Sequence, residues 1–318
     1  MNKDAKIYIA GYRGLVGSNI YRRMLSEGFT NILVSEKAEI DLRDQWSVDH
    51  FFDEYRPEYV ILAAGKVGGI LANSTWPAEF LYDNLMIETN IIHSSYKFGV
   101  RKLLNLGSSC IYPRDASQPI REDCLLSGPL ENTNRAYSIA KIAGIELCDQ
   151  YRFQYNCDFI SAMPTNLYGS EDNFDLSSSH VLPALIRKFH DAKIANHNEV
   201  EIWGTGTPRR EFLYVDDLSD ALLFLMEHFS APGPINIGTG EDITIRELAE
   251  LIARVLGYEG KLSFNISKPD GTPRKLLDVS RLNALGWSAT TKLEDGIRMT
   301  YVWYCEHLAE RSRKVFTF

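Results

Sequence analysis

The sequence predicts an α/β protein with a doubly wound parallel sheet and a smaller α/β lobe. Three observations support this prediction. Short apolar runs alternate with longer amphipathic segments through the first half, a glycine-rich turn follows the first apolar run, and Gly- and Pro-bearing loops become frequent after Gly169. Such alternation is typical of βαβ units. At 318 residues the chain has room for one large domain and a smaller lobe.

The first half supplies most of the predicted sheet. Its strands are short apolar runs at Lys6–Ala10, Ile32–Ser35, Tyr59–Ala64, Leu103–Leu106 and Phe159–Met163. Apolar residues at helical spacing predict helices at Val16–Glu27, Ser47–Tyr55, Ala78–Phe98 and Tyr137–Tyr155. In the second half we expect strands at Val200–Trp203, Glu211–Val215 and Ile235–Ile237, and helices at Asp217–His228 and Thr244–Leu256.

Composition excludes several classes of function. A net charge of −8 argues against binding to a nucleic-acid backbone, which needs clustered Lys and Arg. The five cysteines form no Cys-x-x-Cys pair, so neither a disulfide framework nor a metal site is expected, and a reducing cytoplasm suits them. The polar start of the chain resembles no signal peptide, and no apolar run approaches the ~20 residues that span a bilayer.

A glycine-rich loop directly follows the first predicted strand and precedes the first helix. Backbone N–H groups and the helix dipole can meet a pyrophosphate there, as in Rossmann-like domains. We therefore predict a dinucleotide-binding domain at 1–169, with core strands partly completed by later segments, and a mainly substrate-binding lobe at 170–318. The loop consists of Gly11, Tyr12, Arg13, Gly14, Leu15, Val16 and Gly17.

The choice between NADP and NAD depends on the residues after the second strand. A cation near the ribose favours a 2′-phosphate, whereas an acidic residue favours the free hydroxyl. Arg13 and Lys37 supply cations, and Glu36 beside them supplies a carboxylate. We expect NADP(H), with NAD left open by Glu36.

A second motif predicts catalysis. In Tyr137-Ser-Ile-Ala-Lys141, the spacing of four places phenol and ammonium on one helical face. A nearby cation lowers the pKa of a tyrosine and makes the phenol a better general acid for a ketone. Ser108, at the carboxyl end of the fourth strand, lies where open α/β sheets bind ligands and can hydrogen-bond a carbonyl.

With these motifs in place, the chain resembles the extended short-chain dehydrogenase/reductases that modify nucleotide sugars, and among them the GDP-L-fucose synthase family. The resemblance runs through nearly the whole chain. It is carried by Ile9-Ala-Gly-Tyr-Arg-Gly-Leu-Val-Gly-Ser18, Ala64-Gly-Lys-Val-Gly-Gly69, Gly107-Ser-Ser-Cys-Ile-Tyr-Pro113, Met163-Pro-Thr-Asn-Leu-Tyr-Gly169, Ser179-His-Val181 and Lys268-Pro-Asp-Gly-Thr-Pro-Arg-Lys275.

The resemblance implies a residue for each role. Ser108, Tyr137 and Lys141 would form the reductase triad, while Cys110 as base and His180 as acid would invert C3 and C5, whose hydrogens a C4 ketone acidifies. Further cofactor contacts would come from Lys37, Asp41, Leu42, Leu106, Gly107, Ser109, Pro164, Thr165, Asn166 and Leu167. The GDP-linked keto-sugar would be held by Val181, Arg187, Trp203, Arg210, Asp270 and Lys275.

The expected activity is therefore NADPH-dependent 3,5-epimerisation and C4 reduction of GDP-4-keto-6-deoxy-D-mannose. Two alternatives stay open: a C4-reductase acting on a GDP-4-keto-3,6-dideoxy sugar or a GDP-4-keto heptose, and a nucleotide-binding regulator that has lost turnover. The retention of both Cys110 and His180 favours epimerisation. The helices Ala78–Phe98 and Tyr137–Tyr155 are apolar on more than one face, and in similar enzymes the matching pair forms a dimer interface, so a homodimer is expected.

Overall fold

The computed structural model describes residues 1–268 and 270–314, with side chains through 308. Its centre is a six-stranded sheet in which every neighbouring pair is parallel. The doubly wound α/β prediction is confirmed. The sheet order is β10-β5-β4-β3-β1-β2, with strands β1 (Ile7–Ala10), β2 (Ile32–Leu33), β3 (Tyr59–Leu62), β4 (Lys102–Leu106), β5 (Asp158–Pro164) and β10 (Pro234–Ile237).

Helices cover both faces of this sheet. The apolar residues of β1, β3, β4 and β5 divide between two buried clusters, one against each helical layer. The helices of this part of the chain are α1 (Leu15–Ser26), α2 (Gln45–Tyr55), α3 (Ile70–Thr75), α4 (Pro77–Lys97), α5 (Arg135–Tyr155) and α7 (Val215–His228).

Two elements beyond residue 169 belong to the central domain. The predicted strand Ile235–Ile237 lies within β10, which pairs with β5 at the sheet edge, and all four residues of β10 are buried. The predicted helix Asp217–His228 lies within α7, which packs into the same cluster as α1. We expected later segments to complete the core strands, but an apolar run that is buried on both faces carries no mark of the sheet to which it belongs, so the sequence did not identify which segments these are.

Most of the remaining elements form the smaller lobe around a core of its own. Helix α8 begins with a capping box, in which Thr244 accepts a bond from the Glu247 N–H and Glu247 accepts one in return. Helix α9 (Ser280–Ala284) is the exception, because its Leu282 packs in the central cluster with β10 and α7. The elements of the lobe are β6 (Asn166–Tyr168), α6 (Val181–Ile194), β7 (Glu199–Trp203), β8 (Arg209–Arg210), β9 (Phe212–Tyr214), β11 (Ile243–Thr244), α8 (Ile245–Leu256), β12 (Lys261–Asn265), β13 (Arg274–Lys275) and α10 (Leu293–Lys314).

Small sheets join this lobe to the domain beneath it. Strand β6 pairs with β9, β7 pairs with β12, and β8 lies between β11 and β13. Glu211, fully buried between β8 and β9, accepts hydrogen bonds from the backbone N–H groups of Thr239, Gly240 and Leu277 at 2.7–2.9 Å. These bonds fix Arg210, the residue next to Glu211, relative to the end of β10.

The described residues contain no helix long and apolar enough to cross a membrane. Within the same ranges, no cluster of His, Cys, Asp and Glu side chains is arranged to hold a metal ion.

Candidate active site

The glycine turn after β1 has the geometry that a dinucleotide pyrophosphate requires. Gly11 has a φ of +87°, and a Cβ there would lie 2.7 Å from the backbone of Ala64. A Cβ at Gly17 would collide with the Gly11 carbonyl oxygen, whereas one at Gly14 would meet only ordinary contacts. No side chain caps the N-terminus of α1, which leaves its N–H groups free for an anion. The loop therefore fits a bound dinucleotide.

The residues at the proposed 2′-phosphate site contact one another. The Tyr12 hydroxyl and the Arg13 guanidinium both donate to the Glu36 carboxylate, and the Tyr12 hydrogen bond is the first cause that lowers the Glu36 pKa. Lys37 beside them is exposed. A 2′-phosphate would therefore compete with Glu36 for Arg13.

Asp41 and Leu42, the other predicted contacts after β2, are held by the protein itself. Arg43 donates to both Asp41 oxygens and lowers the pKa of that carboxyl to about 2. The Leu42 carbonyl accepts a 3.0 Å bond from the Asn90 side chain on α4. These bonds give the segment after β2 a fixed course along the sheet edge.

Ser108, Tyr137 and Lys141 meet at the carboxyl end of β4. The Lys141 ammonium is buried and donates to the Leu106 carbonyl at 3.0 Å, and it lies 5.9 Å from the centre of the Tyr137 ring. Burial raises the pKa of Tyr137, while the charge of Lys141 and a hydrogen bond with Ser108 lower it. This arrangement supplies a phenol beside a cation, as the sequence predicted.

Tyr137 lines a cavity of about 360 Å³ between the sheet edge and the smaller lobe, and Lys141 lies behind it. Its walls come from the loop after β3, the turn after β4, the start of α6 and the strands β7, β8 and β13. The cavity brings together most of the predicted catalytic and substrate-binding residues: Ser108, Cys110, Tyr137, His180, Val181, Trp203, Arg210, Asp270 and Lys275. Two predicted cofactor contacts, Asn166 and Leu167, line it as well.

Cys110 and His180 both face this cavity from different elements. Cys110 lies in a short 3₁₀ turn that is tied to α5 by the Ser138 hydroxyl, which donates to the Cys110 carbonyl at 2.8 Å. The Lys275 ammonium lies 3.5 Å from the Cys110 sulfur. His180 is the N-cap residue of α6, and its side chain makes no capping bond. Desolvation, and then the charge of Lys275, lower the pKa of His180.

Arg210 is the strongest anion-binding candidate in the cavity. Its guanidinium donates to the Arg209 carbonyl at 2.8 Å, and it has no carboxylate ion pair among the described residues. Desolvation lowers its pKa, although interactions with Cys110 and then Asp270 oppose this effect. A half-buried guanidinium without a counter-ion is suited to bind a pyrophosphate.

Trp203 is 46% exposed and offers a flat apolar face to the cavity. Lys188 and Lys268 lie over its ring at 5.4 and 5.1 Å. Asp270 accepts bonds from the Thr205 N–H and hydroxyl at 2.7 and 2.9 Å, and thereby holds the turn after Trp203 in place. The turn presents the indole to a stacking partner.

One predicted substrate contact lies elsewhere. Arg187 does not line the cavity: its guanidinium donates to the Phe174 carbonyl at 3.2 Å and pairs with Asp191 one turn later. Lys188 takes the cavity position. A helix turns by about 100° per residue, so neighbouring cations on α6 face different directions, and a motif match does not resolve which one faces inward.

The other predicted cofactor contacts lie around the carboxyl ends of β4 and β5. A Cβ at Gly107 would collide with the Met163 side chain, and Ser109 is buried beside it. The Thr165 N–H donates to the Ile237 carbonyl at 2.9 Å, and the cofactor roles of Leu106, Gly107, Ser109, Pro164, Thr165, Asn166 and Leu167 remain predictions.

Sequence reasoning missed one wall of the cavity. Helix α3 and the loop before it, with Gly68, Gly69 and Asn73, form this wall. A Cβ at Gly69 would lie 2.8 Å from the Ser179 carbonyl, so the close approach of the His180 loop requires glycine there. The paired glycines after β3 are the feature of the sequence that could have indicated this close approach.

Comparison with known proteins decides the family. The model of the NAD dependent epimerase/dehydratase family matches residues 7–238. The chain belongs to this family. The resemblance to extended short-chain dehydrogenase/reductases is thereby confirmed, and the match covers the glycine turn, the Tyr137–Lys141 helix and both segments that return to the central sheet.

Individual relatives of the family are similar along almost the whole chain. GDP-L-fucose synthase 1 of Arabidopsis thaliana is 56% identical over 310 residues, which cover 98% of this chain and 96% of that protein. A GDP-L-fucose synthetase from Naegleria fowleri bound to NADP superimposes with a TM-score of 0.91 at 31% identity, covering 97% of this chain and 95% of that one. A GDP-mannoheptose C4 reductase from Campylobacter jejuni with NADP bound gives 0.89 at 40% identity, covering 96% and 99%.

Proposed function

We propose that this protein converts GDP-4-keto-6-deoxy-D-mannose to GDP-L-fucose by epimerisation at C3 and C5 and NADPH-dependent reduction at C4. One observation carries the proposal: a single cavity contains Cys110 and His180 together with Ser108 and Tyr137. A simple C4-reductase needs only the second pair. The 56% identity to a GDP-L-fucose synthase supports the same substrate.

Epimerisation uses the acidity of the hydrogens on either side of the C4 ketone. The Cys110 thiolate removes a proton from the carbon, and His180 returns one from the opposite face, so the centre inverts. The Lys275 ammonium, 3.5 Å from the Cys110 sulfur, stabilises the thiolate that this step requires. After each inversion, proton exchange restores the two groups.

Reduction takes place in the same cavity. Bound NADPH supplies a hydride to C4. Tyr137 donates its phenolic proton to the oxygen that becomes the new hydroxyl, and Ser108 hydrogen-bonds that oxygen. The Lys141 cation stabilises the phenolate left on Tyr137 until solvent reprotonates it.

The GDP portion is held away from the reacting carbon. Arg210 binds the pyrophosphate, Lys188 adds a second cation, and Trp203 stacks on a planar ring of the nucleotide. At the cofactor, Lys37 and an Arg13 released from Glu36 would hold the 2′-phosphate, which would favour NADPH over NADH.

A substrate panel tests the proposal. Purified protein with NADPH is mixed in turn with GDP-4-keto-6-deoxy-D-mannose, a GDP-4-keto-3,6-dideoxy sugar and a GDP-4-keto heptose, and NADPH absorbance and product NMR are recorded. The proposal predicts the highest kcat/KM for the first and GDP-L-fucose as its product. A preference for the heptose would favour the second candidate, which the 40% identical heptose reductase supports.

We infer a homodimer built on α4 and α5. Tyr82 on α4 and Ile139 and Phe153 on α5 are exposed, with Phe153 at 88%. Large apolar side chains exposed on adjacent helices favour association. Light scattering after size exclusion should give two chains per particle, and one chain would refute the inference.

The five cysteines are all free thiols, which supports a reducing cytoplasm as the compartment.

A further inference from the structure

A buried carboxylate lies directly behind the catalytic lysine. Glu88 on α4 is 1% exposed and Lys141 on α5 is 3% exposed, and the Glu88 Oε1 lies 2.6 Å from the Lys141 Nζ. No other carboxylate among the described residues pairs with Lys141. Removing two charges from water costs free energy of folding, so a buried ion pair beside the reductase triad suggests a functional role.

The helix pair is shaped around this carboxylate. Glu88 lies against Gly144, three residues after Lys141 on α5, and a Cβ at Gly144 would collide with the Glu88 Oε2. Glycine within a helix destabilises it by roughly 0.5–1 kcal/mol relative to alanine. Gly144 thus makes room for Glu88 at the expense of helix stability.

The other groups around the pair are polar but not charged. The Leu106 carbonyl accepts a hydrogen bond from Lys141 at 3.0 Å. The Asn105 side chain lies beside Glu88, since its Nδ2 would be 3.1 Å from a Cβ at Gly144. Both Asn105 amide atoms lack hydrogen-bond partners among the described residues. Tyr137 and the buried thiol of Cys148 are the remaining titratable neighbours. Glu88 is therefore the one anion in contact with Lys141 in the described part of the chain.

We propose that Glu88 is a positioning residue for reduction: its carboxylate keeps Lys141 in the ammonium form and fixed against the Leu106 carbonyl, so that Tyr137 remains an effective acid. This inference rests on the proposed reduction at C4. It assigns nothing to Glu88 in epimerisation, because Cys110 and His180 lie on other elements.

The electrostatic balance has the required direction. Burial lowers the pKa of Lys141 and the charge of Glu88 raises it, and the net effect is a raised pKa. Burial also raises the pKa of Glu88, and the charge of Lys141 2.6 Å away opposes this and favours the carboxylate. Burial raises the pKa of Tyr137 and the charge of Lys141 opposes this. Without Glu88 only the interaction with Tyr137 opposes the effect of burial on Lys141, so the lysine loses its proton at a lower pH. Tyr137 then becomes a weaker acid over the pH range in which Lys141 is neutral.

The test replaces Glu88 with its uncharged isostere, Glu88→Gln. The matched control is Asp158→Asn at the start of β5, where Asp158 lies 3.5 Å from the buried Lys102 at the end of β4 away from the triad. For each protein we would measure kcat for reduction from about pH 6 to about pH 9 and, without NADPH, the exchange of substrate hydrogens with deuterated solvent.

The expected result separates the two reactions. In Glu88→Gln the alkaline limb of the reduction profile moves down by about one pH unit or more, and the rate approaches that of wild type at the acidic end. Solvent exchange and the profile of Asp158→Asn stay unchanged. A fall in reduction that is equal at every pH, an equal loss of exchange, or an unchanged profile would overturn the proposal.

Two further measurements cover the remaining cases. If Glu88→Gln is insoluble, Gly144→Ala replaces it, because the added methyl group displaces the carboxylate without removing it. The alkaline limb of the reduction profile should again move to lower pH. An unchanged profile would refute the role. If wild type turns over none of the keto-sugars, the proposed function fails, yet the Lys141 pKa can still be read by NMR of ¹³Cε-labelled lysine, with Lys141→Met to assign the signal. Its pKa must be lower in Glu88→Gln, and an unchanged pKa refutes the inference.

Discussion

Replacing Arg210 with methionine tests the proposed pyrophosphate site. Arg210 is half-buried, its one hydrogen bond among the described residues goes to the Arg209 carbonyl, and desolvation lowers its pKa. A bidentate contact with a pyrophosphate adds two charge-assisted hydrogen bonds, each of about 1.5–3 kcal/mol. Methionine keeps the length and apolar volume of the side chain. A loss of about 3 kcal/mol corresponds to a roughly 150-fold weaker binding.

The assay is NADPH oxidation over a range of GDP-4-keto-sugar concentrations. We expect KM to rise by roughly two orders of magnitude with kcat little changed, because the pyrophosphate contact is made equally in the ground and transition states. Arg209→Met is the control, since Arg209 pairs with Asp242 at 2.7 Å and lies outside the cavity. A KM for Arg210→Met close to that of the control would refute the assignment.

Substitutions at four other residues of the cavity and the glycine turn have distinct expected effects. Cys110→Ser should lower solvent deuterium exchange at C3 and C5 by about 10²–10⁴-fold while NADPH binding, measured by fluorescence, stays unchanged; full exchange would remove the cysteine from its role as base. Tyr137→Phe should lower NADPH oxidation by a similar factor and leave exchange intact, because the phenol acts only at C4; equal losses in both assays would contradict this. Lys275→Met should raise the pKa of His180, since the lysine charge contributes to lowering it; an NMR titration of the ring protons that shows no rise would refute the electrostatic link. Gly17→Ala should abolish NADPH binding or lower the melting temperature, because the new methyl group meets the carbonyl of the first loop glycine; unchanged binding and stability would show that the turn tolerates it.

The sequence was most informative where local patterns decide structure. The glycine turn after β1 lies within one strand–turn–helix segment, and the Tyr137–Lys141 spacing lies within one helix, so their placement followed from local rules. The predicted helix Thr244–Leu256 matches α8 to within one residue, since Thr244 is its N-cap. For these elements the local sequence was sufficient to predict the position.

The rest depended on contacts between distant segments. Strand β10 and helix α7 join the central domain only through pairing with β5 and packing on α1, so the sequence did not identify them as the later segments that complete it. Arg187 and Lys188 are adjacent in sequence, yet only Lys188 faces the cavity. Glu88 lies far from Lys141 along the chain, and no local motif connects the two residues.

The coupling of epimerisation and reduction in one cavity is tested most directly by a single reaction in deuterated water. The protein is mixed with GDP-4-keto-6-deoxy-D-mannose and NADPH, and the product is read by NMR. The account predicts GDP-L-fucose with deuterium at C3 and C5 and protium at C4, because solvent supplies the first two hydrogens and NADPH the third. NADPH oxidation that leaves protium at C3 and C5 would contradict it and would identify the protein as a C4-reductase alone.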